Sequence, residues 1–152
     1  TGDEQGTVVF HDAETGEVRD SFAAADAAVI SLAVSPDGNI MAVGTSRNRV
    51  SLWNLATGER LVEWGPHSGG ITGLAFSPDG SVLITAGGDG SVRLWDAALL
   101  PDVRDLHGLE ARIATLGRHE GGCWGIDLSA DGTTLVSAGG DGMVYVWRVG
   151  GG

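Results

Sequence analysis

Three residues near the carboxyl end of the sequence have side chains that build a hydrolase triad. Ser137, His119 and Asp141 carry the groups for acyl transfer: a nucleophilic hydroxyl, a base and a carboxylate that orients the base. No nucleophile elbow surrounds the serine, however. The same spacing also occurs 52 residues earlier, with threonine in place of serine, in His67, Thr85 and Asp89. A set that repeats in this way favours a structural role, so we predict no catalytic residues and no enzyme activity.

These sets belong to a repeat that extends along the chain. The turn Ser-Pro-Asp-Gly at residues 35–38 returns at 77–80 and, with alanine for proline, at 129–132. A tryptophan that ends a short apolar segment recurs in step, at Trp53, Trp95 and Trp147. Self-similarity with steps of 42 and 52 residues indicates a structure built from similar units.

Each unit is predicted to consist of short antiparallel strands. The second unit has segments enriched in β-branched and aromatic residues at 71–76, 81–85 and 91–95, with an outer strand at 59–64 before them. In each hairpin turn, proline presets the backbone of the first position and glycine takes the left-handed position that closes the turn. The pattern predicts thirteen strands, in groups of two, four, four and three.

With these marks the chain resembles the WD-repeat (tryptophan-aspartate repeat) β-propellers, whose blades have four strands and about 40 to 45 residues. The resemblance covers essentially the whole chain, and Gly-Asp-Gly at 88–90 and 140–142, five residues before a tryptophan, adds to it. It implies an all-β fold: a partial β-propeller of four-stranded antiparallel blades, about three blades plus an incomplete flanking blade, within a larger propeller. The expected units are approximately 1–22, 23–64, 65–116 and 117–152, the last lacking its outer strand.

The resemblance also implies a role for the polar residues. Well-formed blades of this family contain a buried tetrad, in which Asp accepts a hydrogen bond from His, His contacts a Ser or Thr hydroxyl, and the hydroxyl meets the Trp indole N–H. Such a network is favourable only when every member is satisfied. The matching residues are His67, Thr85, Asp89 and Trp95 in one unit, and His119, Ser137, Asp141 and Trp147 in the next.

The unit before these two departs from the pattern. It has Ala25, Val43 and Arg47 where the other units have His, Ser or Thr, and Asp. We therefore expect Trp53 to lack its tetrad partners and this blade to be the least rigid.

Three features are candidates for contact with a partner. Trp124 falls where family members often place partner-contacting side chains around the central channel; alternatively, it fills space between inner strands. Arg47, Asn48 and Arg49 form a basic spot in a loop on the face where partners often dock; alternatively, they form a solvated turn. The insertion at 99–107 either packs back on its blade or docks a partner.

The composition limits the classes of partner and site. A chain of 152 residues suffices for one domain, and its net charge of -11, with arginine as its only basic side chain besides histidine, disfavours nucleic acid and anionic membrane surfaces. No apolar run reaches the roughly 18 residues of a membrane span. The single cysteine, Cys123, fits a reducing compartment, and we expect a cytoplasmic location. No metal-ligand spacing and no lysine for a phosphate loop occur, so no metal and no cofactor are predicted.

These observations predict a non-enzymatic protein–protein interaction scaffold, a propeller segment that presents loops and a face to protein or peptide partners or to other domains of its own chain. One alternative is a quinoprotein-type propeller enzyme, because Asp-Ala-Glu-Thr-Gly at 12–16 matches half of the motif that those blades share; the tryptophan of the other half is missing. Another is that the blades are purely structural parts of a bacterial multidomain signalling protein. Self-association through open blade faces is a further expectation.

Overall fold

The computed structural model describes residues 1–97, 100 and 114–149, and these form thirteen β-strands in four antiparallel sheets. The predicted all-β class and partial propeller of four-stranded blades are confirmed. Sheet 1 contains β1 (Thr7–His11) and β2 (Val18–Ala23). Sheet 2 contains β3 (Val29–Val34), β4 (Ile40–Thr45), β5 (Val50–Asn54) and β6 (Arg60–Trp64). Sheet 3 contains β7 (Ile71–Phe76), β8 (Val82–Gly87), β9 (Ser91–Asp96) and β10 (Ala114–Arg118). Sheet 4 contains β11 (Cys123–Leu128), β12 (Thr134–Gly139) and β13 (Val144–Arg148).

Within each sheet, every strand pairs with the next strand along the chain, as expected for a meander. The strand predicted at 71–76 has those bounds in the structure, and the neighbouring predictions differ by one or two residues at their ends. The largest difference is in β8, which continues to Gly87 because that residue pairs with Ile71 of β7. Pairing with the partner strand therefore extends β8 beyond its β-branched segment.

The Ser-Pro-Asp-Gly hairpins are held by their own side chains. In the β7–β8 turn, Asp79 Oδ1 accepts hydrogen bonds from Ser77 Oγ at 2.6 Å and from the backbone N–H of Ser81 at 3.0 Å. These contacts, that from Ser77 first, lower the pKa of Asp79 to about 2. Gly80 has φ +73°, a left-handed conformation that costs glycine little. The β11–β12 turn keeps the same geometry although Ala130 replaces proline, with Gly132 N–H donating to Ser129 O at 2.8 Å.

Apolar side chains fill the three spaces between successive sheets. Successive residues of one strand enter different spaces, because side chains alternate between the two faces of a sheet. Leu83 of β8 faces sheet 2, and Ile84 faces sheet 4. The first space contains Val8, Ala24, Met41 and Val43. The second contains Ala42, Val50, Leu52, Trp64, Ile71, Leu74, Leu83, Trp95 and Leu100. The third contains Ile84, Ala86, Val92, Cys123 and Leu135.

The first strands of sheets 2, 3 and 4 lie side by side, as the innermost strands of a propeller do. Thr72 of β7 donates from its Oγ1 to the carbonyl oxygen of Cys123 in β11 at 2.7 Å. The two strands approach so closely at Gly73 that a Cβ atom there would lie 2.8 Å from Ile126 Cγ1. The first strands of sheets 3 and 4 therefore pack directly against each other.

The far face of sheet 4 exposes aliphatic residues. Val144 and Val146 of β13 are 64% and 68% exposed, whereas Val92, which holds the place of Val144 in sheet 3, is fully buried against sheet 4. In the part of the chain that the structure describes, no helix has the length and apolar character needed to cross a membrane.

The aligned valines give a test of packing between sheets. Val92→Ala should lower the free energy of unfolding by about 2 kcal/mol, because it removes buried methyl groups and leaves a cavity. Val144→Ala, the same change at an exposed position, should alter it by less than about 0.5 kcal/mol. Urea unfolding followed by tryptophan fluorescence measures both. Equal costs for the two variants would contradict this packing.

Candidate functional site

The polar residues of sheet 3 form one connected hydrogen-bonded network. His67 precedes β7, Thr85 lies in the middle of β8, Asp89 lies in the β8–β9 turn, and Trp95 lies near the end of β9. His67 Nδ1 is 2.9 Å from Asp89 Oδ1, and His67 Nε2 is 2.8 Å from Thr85 Oγ1. The indole Nε1 of Trp95 donates to the same Thr85 oxygen at 3.0 Å. We refer to these four residues as the sheet 3 tetrad.

Sheet 4 repeats this arrangement with serine as the hydroxyl residue. His119 Nδ1 is 2.9 Å from Asp141 Oδ1, and His119 Nε2 is 2.8 Å from Ser137 Oγ. Trp147 Nε1 donates to Ser137 Oγ at 3.0 Å. We refer to these as the sheet 4 tetrad. The eight residues singled out as tetrads in the sequence are therefore brought together in two separate sets, one in each sheet.

The donors and acceptors of the sheet 3 tetrad determine the histidine tautomer. Because the indole N–H of Trp95 donates to the Thr85 oxygen, the Thr85 hydroxyl hydrogen is available for His67 Nε2, which must then be unprotonated. His67 Nδ1–H consequently donates to Asp89. Burial lowers the pKa of His67, against the opposing hydrogen bond and charge of Asp89, and this favours the neutral imidazole that the network needs.

Asp89 has more donors than the tetrad alone supplies. Burial by itself raises the pKa of this carboxyl, but hydrogen bonds from the Ser91 hydroxyl, from His67, and from the backbone N–H groups of Ser91 and Ser68 outweigh it and hold the pKa well below its ordinary value. Arg93 adds an ion pair to Asp89 at 3.5 Å and also donates to the carbonyl oxygen of Pro66. The carboxylate thus links two loops and β9.

The contributions of Ser91 and Arg93 were not predicted from the sequence. A signal was present, since a hydroxyl residue two positions after the turn aspartate is placed to donate back to its carboxylate. In sheet 4 the corresponding residue is Met143, which donates only its backbone N–H to Asp141. The two tetrads therefore differ in how strongly their aspartate is held.

The geometry of the sheet 4 tetrad has the hydrogen bonds of a hydrolase triad, but its surroundings differ from those of a nucleophile. Ser137 and His119 are each 1% exposed, and Gly139 packs directly on the imidazole. The Ser137 oxygen also accepts from Trp147. A nucleophile needs room for a reacting carbonyl next to its hydroxyl, and here that position is filled by protein.

Sheet 2 lacks the tetrad, and its tryptophan has another partner. Val43 lies at the position of the hydroxyl residue and is fully buried in the first core space. The indole Nε1 of Trp53 donates instead to Ser51 Oγ of the same strand at 2.9 Å. Trp53 therefore lacks the tetrad partners, as expected, but its indole N–H is satisfied within the strand. This contact was not predicted from the sequence.

The candidate partner-binding residues lie on different sheets. Trp124 lies on β11 of sheet 4 and is 70% exposed. Arg47, Asn48 and Arg49 form the β4–β5 turn of sheet 2, where Asn48 has φ +65° and Arg47 pairs with Asp26 at 3.2 Å. The structure thus does not bring these two features together. The 99–107 segment lies outside the described residues except for Leu100, which is buried in the second core space.

Comparison with known families gives one match. The family described as "WD domain, G-beta repeat" matches residues 16–54, 58–96 and 110–148, together more than half of the chain. Each of the first two matched segments supplies the last strand of one sheet and the first three strands of the next, so the repeat in the sequence is offset from the sheets. A search of curated proteins gave no match.

The first prediction from the site concerns the shared hydroxyl. Thr85→Val keeps the side-chain shape but leaves His67 Nε2 and the Trp95 indole N–H without a partner. We expect it to lower the free energy of unfolding by about 2 to 6 kcal/mol, since it leaves two buried groups unsatisfied and each costs about 1–3 kcal/mol. Thr115→Val, at an exposed position of β10, is the matched control and should change stability by less than about 0.5 kcal/mol. A loss no larger than that of the control would show that the network is dispensable.

A second prediction concerns pH. The folded-state pKa of His67 lies below its ordinary value of about 6.5, so its contribution to stability is complete above that pH and is lost as the pH falls through the lowered pKa. NMR titration of the His67 ring protons should give a midpoint below about 6.5. Asp89→Asn removes the carboxylate that opposes the effect of burial and should lower the midpoint further. A midpoint that rises in Asp89→Asn would contradict this assignment of causes.

Proposed function

The chain belongs to the WD-repeat family, and from that premise we propose that it is a non-enzymatic scaffold for protein–protein interaction. WD repeats generally act as protein-interaction scaffolds. The observation that carries the proposal for this chain is the location of its reactive side chains. The histidines, hydroxyls and carboxylates of both tetrads bond to one another inside the sheets, while a large aromatic residue, Trp124, lies exposed on an innermost strand.

Trp124 is the proposed anchor for a partner. Tryptophan is enriched among interface residues that dominate binding energy, because it offers a large apolar area and an N–H donor with few rotatable bonds. Its counterpart in sheet 3, Thr72, bonds to the next inner strand, and its counterpart in sheet 2, Ile30, is half exposed. The aromatic side chain at this position is therefore specific to sheet 4 among the described sheets.

The turn of Arg47, Asn48 and Arg49 is the proposed second contact. Among the residues that the structure describes, Arg47 forms an ion pair with Asp26 alone, and both side chains are largely exposed. Exposed ion pairs contribute little stability in water, so a carboxylate of a partner can replace Asp26 at small cost. The left-handed conformation of Asn48 fixes the turn that presents the two arginines.

The charge of the chain supports protein or peptide partners. A net charge of -11 repels nucleic acid and anionic lipid, and it attracts basic segments of proteins.

We also propose a cytoplasmic location, supported by the single cysteine, Cys123, which is buried as a free thiol.

Selection of peptides from a phage-displayed random library on the immobilised chain tests this function. We expect enriched peptides whose affinity falls about tenfold in Trp124→Ala and by a smaller factor in the double variant Arg47→Glu, Arg49→Glu. Val18→Ala, an exposed apolar residue on β2, is the control and should bind as the unmodified chain does. Failure to enrich any peptide, or equal binding by all variants, would refute the proposal. Stoichiometric labelling of Ser137 by a fluorophosphonate would refute its non-enzymatic part.

A further inference from the structure

A cleft of about 310 Å³ lies between sheets 3 and 4, at the edge where the β7–β8 and β11–β12 hairpins turn. Its volume lies at the lower end of the range of ligand pockets. The rim consists of the two hairpin turns and includes the carboxylates of Asp79 and Asp131. The floor is aliphatic and consists of Val82, Ile84, Leu94, Leu128 and Val149. The cleft therefore combines an apolar interior with two acidic groups at its mouth.

The rim of the cleft is already formed in the chain. The two hairpins touch, because a Cβ atom at Gly132 would lie 2.7 Å from Cδ of Pro78. Each hairpin is closed by its own side-chain hydrogen bonds, from Ser77 and Ser81 in one and from Ser129 and Thr133 in the other. A ligand that enters does not have to order these turns, which reduces the entropic cost of binding.

Both carboxylates at the rim are ionised and have one oxygen available. Asp79 and Asp131 accept all of their hydrogen bonds at Oδ1, and within the described residues their Oδ2 atoms accept none. The hydrogen bonds from serine, threonine and the backbone lower the pKa of both groups. None of the described residues that line the cleft is basic. The mouth of the cleft is therefore complementary to a cation.

The corresponding cleft between sheets 2 and 3 differs in its free carboxylate oxygens and in its apolar lining. There Asp37 Oδ2 accepts a hydrogen bond from the Asn39 side chain at 2.8 Å, so this oxygen is already paired. Phe76 stands where Leu128 stands in the other cleft, and Ala97 stands where Val149 does. The chain thus provides its own comparison, a cleft that shares Asp79 with the first but whose other carboxylate, that of Asp37, is already engaged.

We propose that the cleft between sheets 3 and 4 binds a short segment of a partner protein in which an aliphatic side chain is flanked by arginine. The aliphatic side chain buries apolar surface against Leu94 and Leu128. The guanidinium groups pair with the Oδ2 atoms of Asp79 and Asp131, a charge-assisted geometry that carboxylates and arginine favour. This inference rests on the proposed function and assigns it a further surface, at the end of β11 that lies away from Trp124.

The test is an NMR titration of the full chain with the capped peptide Gly-Arg-Leu-Arg-Gly. We expect chemical-shift changes centred on Val82, Leu94 and Leu128, with a dissociation constant of about 0.1–1 mM for so short a ligand. Raising the salt concentration from about 50 to about 500 mM should weaken binding, because the rim charges are exposed to solvent. Two control peptides, Gly-Glu-Leu-Glu-Gly and Gly-Arg-Gly-Arg-Gly, should bind at least about fivefold more weakly.

Three variants test separately the charges at the rim, the shape of the cleft and the specificity of binding for this cleft. Asp79→Asn with Asp131→Asn keeps an acceptor oxygen for each turn but removes the charges, and should weaken binding about fivefold or more. Leu128→Phe places in the cleft the residue that the sister cleft carries, and should weaken binding with both charges intact. Asp37→Asn is the control at the other cleft and should leave the affinity unchanged. Leu128→Phe also tests the cleft if the double asparagine variant does not fold. We expect Leu128→Phe to fold, because Phe76 occupies the same position in the cleft between sheets 2 and 3.

The outcomes distinguish this inference from the proposed function. Shift changes at the cleft that are lost in both kinds of variant support the inference. Shift changes confined to Trp124 or to the Arg47–Arg49 turn, or equal binding of the glutamate peptide, overturn the inference while the scaffold function stands. Absence of shift changes at the cleft on addition of the arginine peptide likewise overturns only the inference.

Discussion

The structure depends on one constraint, that a polar group buried inside sheets 3 and 4 is costly to leave without a partner. Among the described residues, the buried indole N–H of Trp64 in sheet 2 is the exception. In each of sheets 3 and 4, one hydroxyl is the hydrogen-bond partner of both a histidine and a tryptophan. This hydroxyl belongs to Thr85 in sheet 3 and to Ser137 in sheet 4. Because these residues come from the loop before the first strand, the second strand and the third strand, one set of hydrogen bonds holds three parts of the blade together. Removing the hydroxyl leaves two buried groups unsatisfied at once, which costs more than the loss of a hydrogen bond at the surface.

The same constraint explains why the tetrads have the hydrogen bonds of a hydrolase triad while their histidine and hydroxyl are buried inside the sheets. A histidine that must stay neutral, an aspartate held by several donors and a hydroxyl shared with an indole are all committed to the fold. What remains for contact with other molecules is the surface between and beside the blades. There the chain presents Trp124, the turn with two arginines, and an aliphatic cleft with ionised carboxylates at its mouth.

Much of the fold was predictable because the sequence pattern of each strand and turn occurs in several repeat units. The turn Ser-Pro-Asp-Gly and the tryptophan that follows indicate where strands begin and end. The tetrad residues are implied by the resemblance to WD-repeat propellers, and their equal spacing in two units supports them. Features that occur once were harder to predict. The hydrogen bond of Trp53 to Ser51 and that of Ser91 to Asp89 depend on the direction of individual side chains. The cleft at Leu128 depends on how two sheets meet, which no segment of the sequence encodes by itself.

Hydrogen exchange of the tryptophan indole N–H groups, followed by NMR, tests the central claim most directly. If the tetrads hold the blades together, the indole protons of Trp95 and Trp147 exchange only through global unfolding, with an exchange free energy equal to the free energy of unfolding measured in urea. The exposed indole of Trp124 then exchanges at the rate of an unprotected group. Exchange of Trp95 and Trp147 as fast as that of Trp124 would contradict the account, because it would show that the tetrads open without unfolding the sheets.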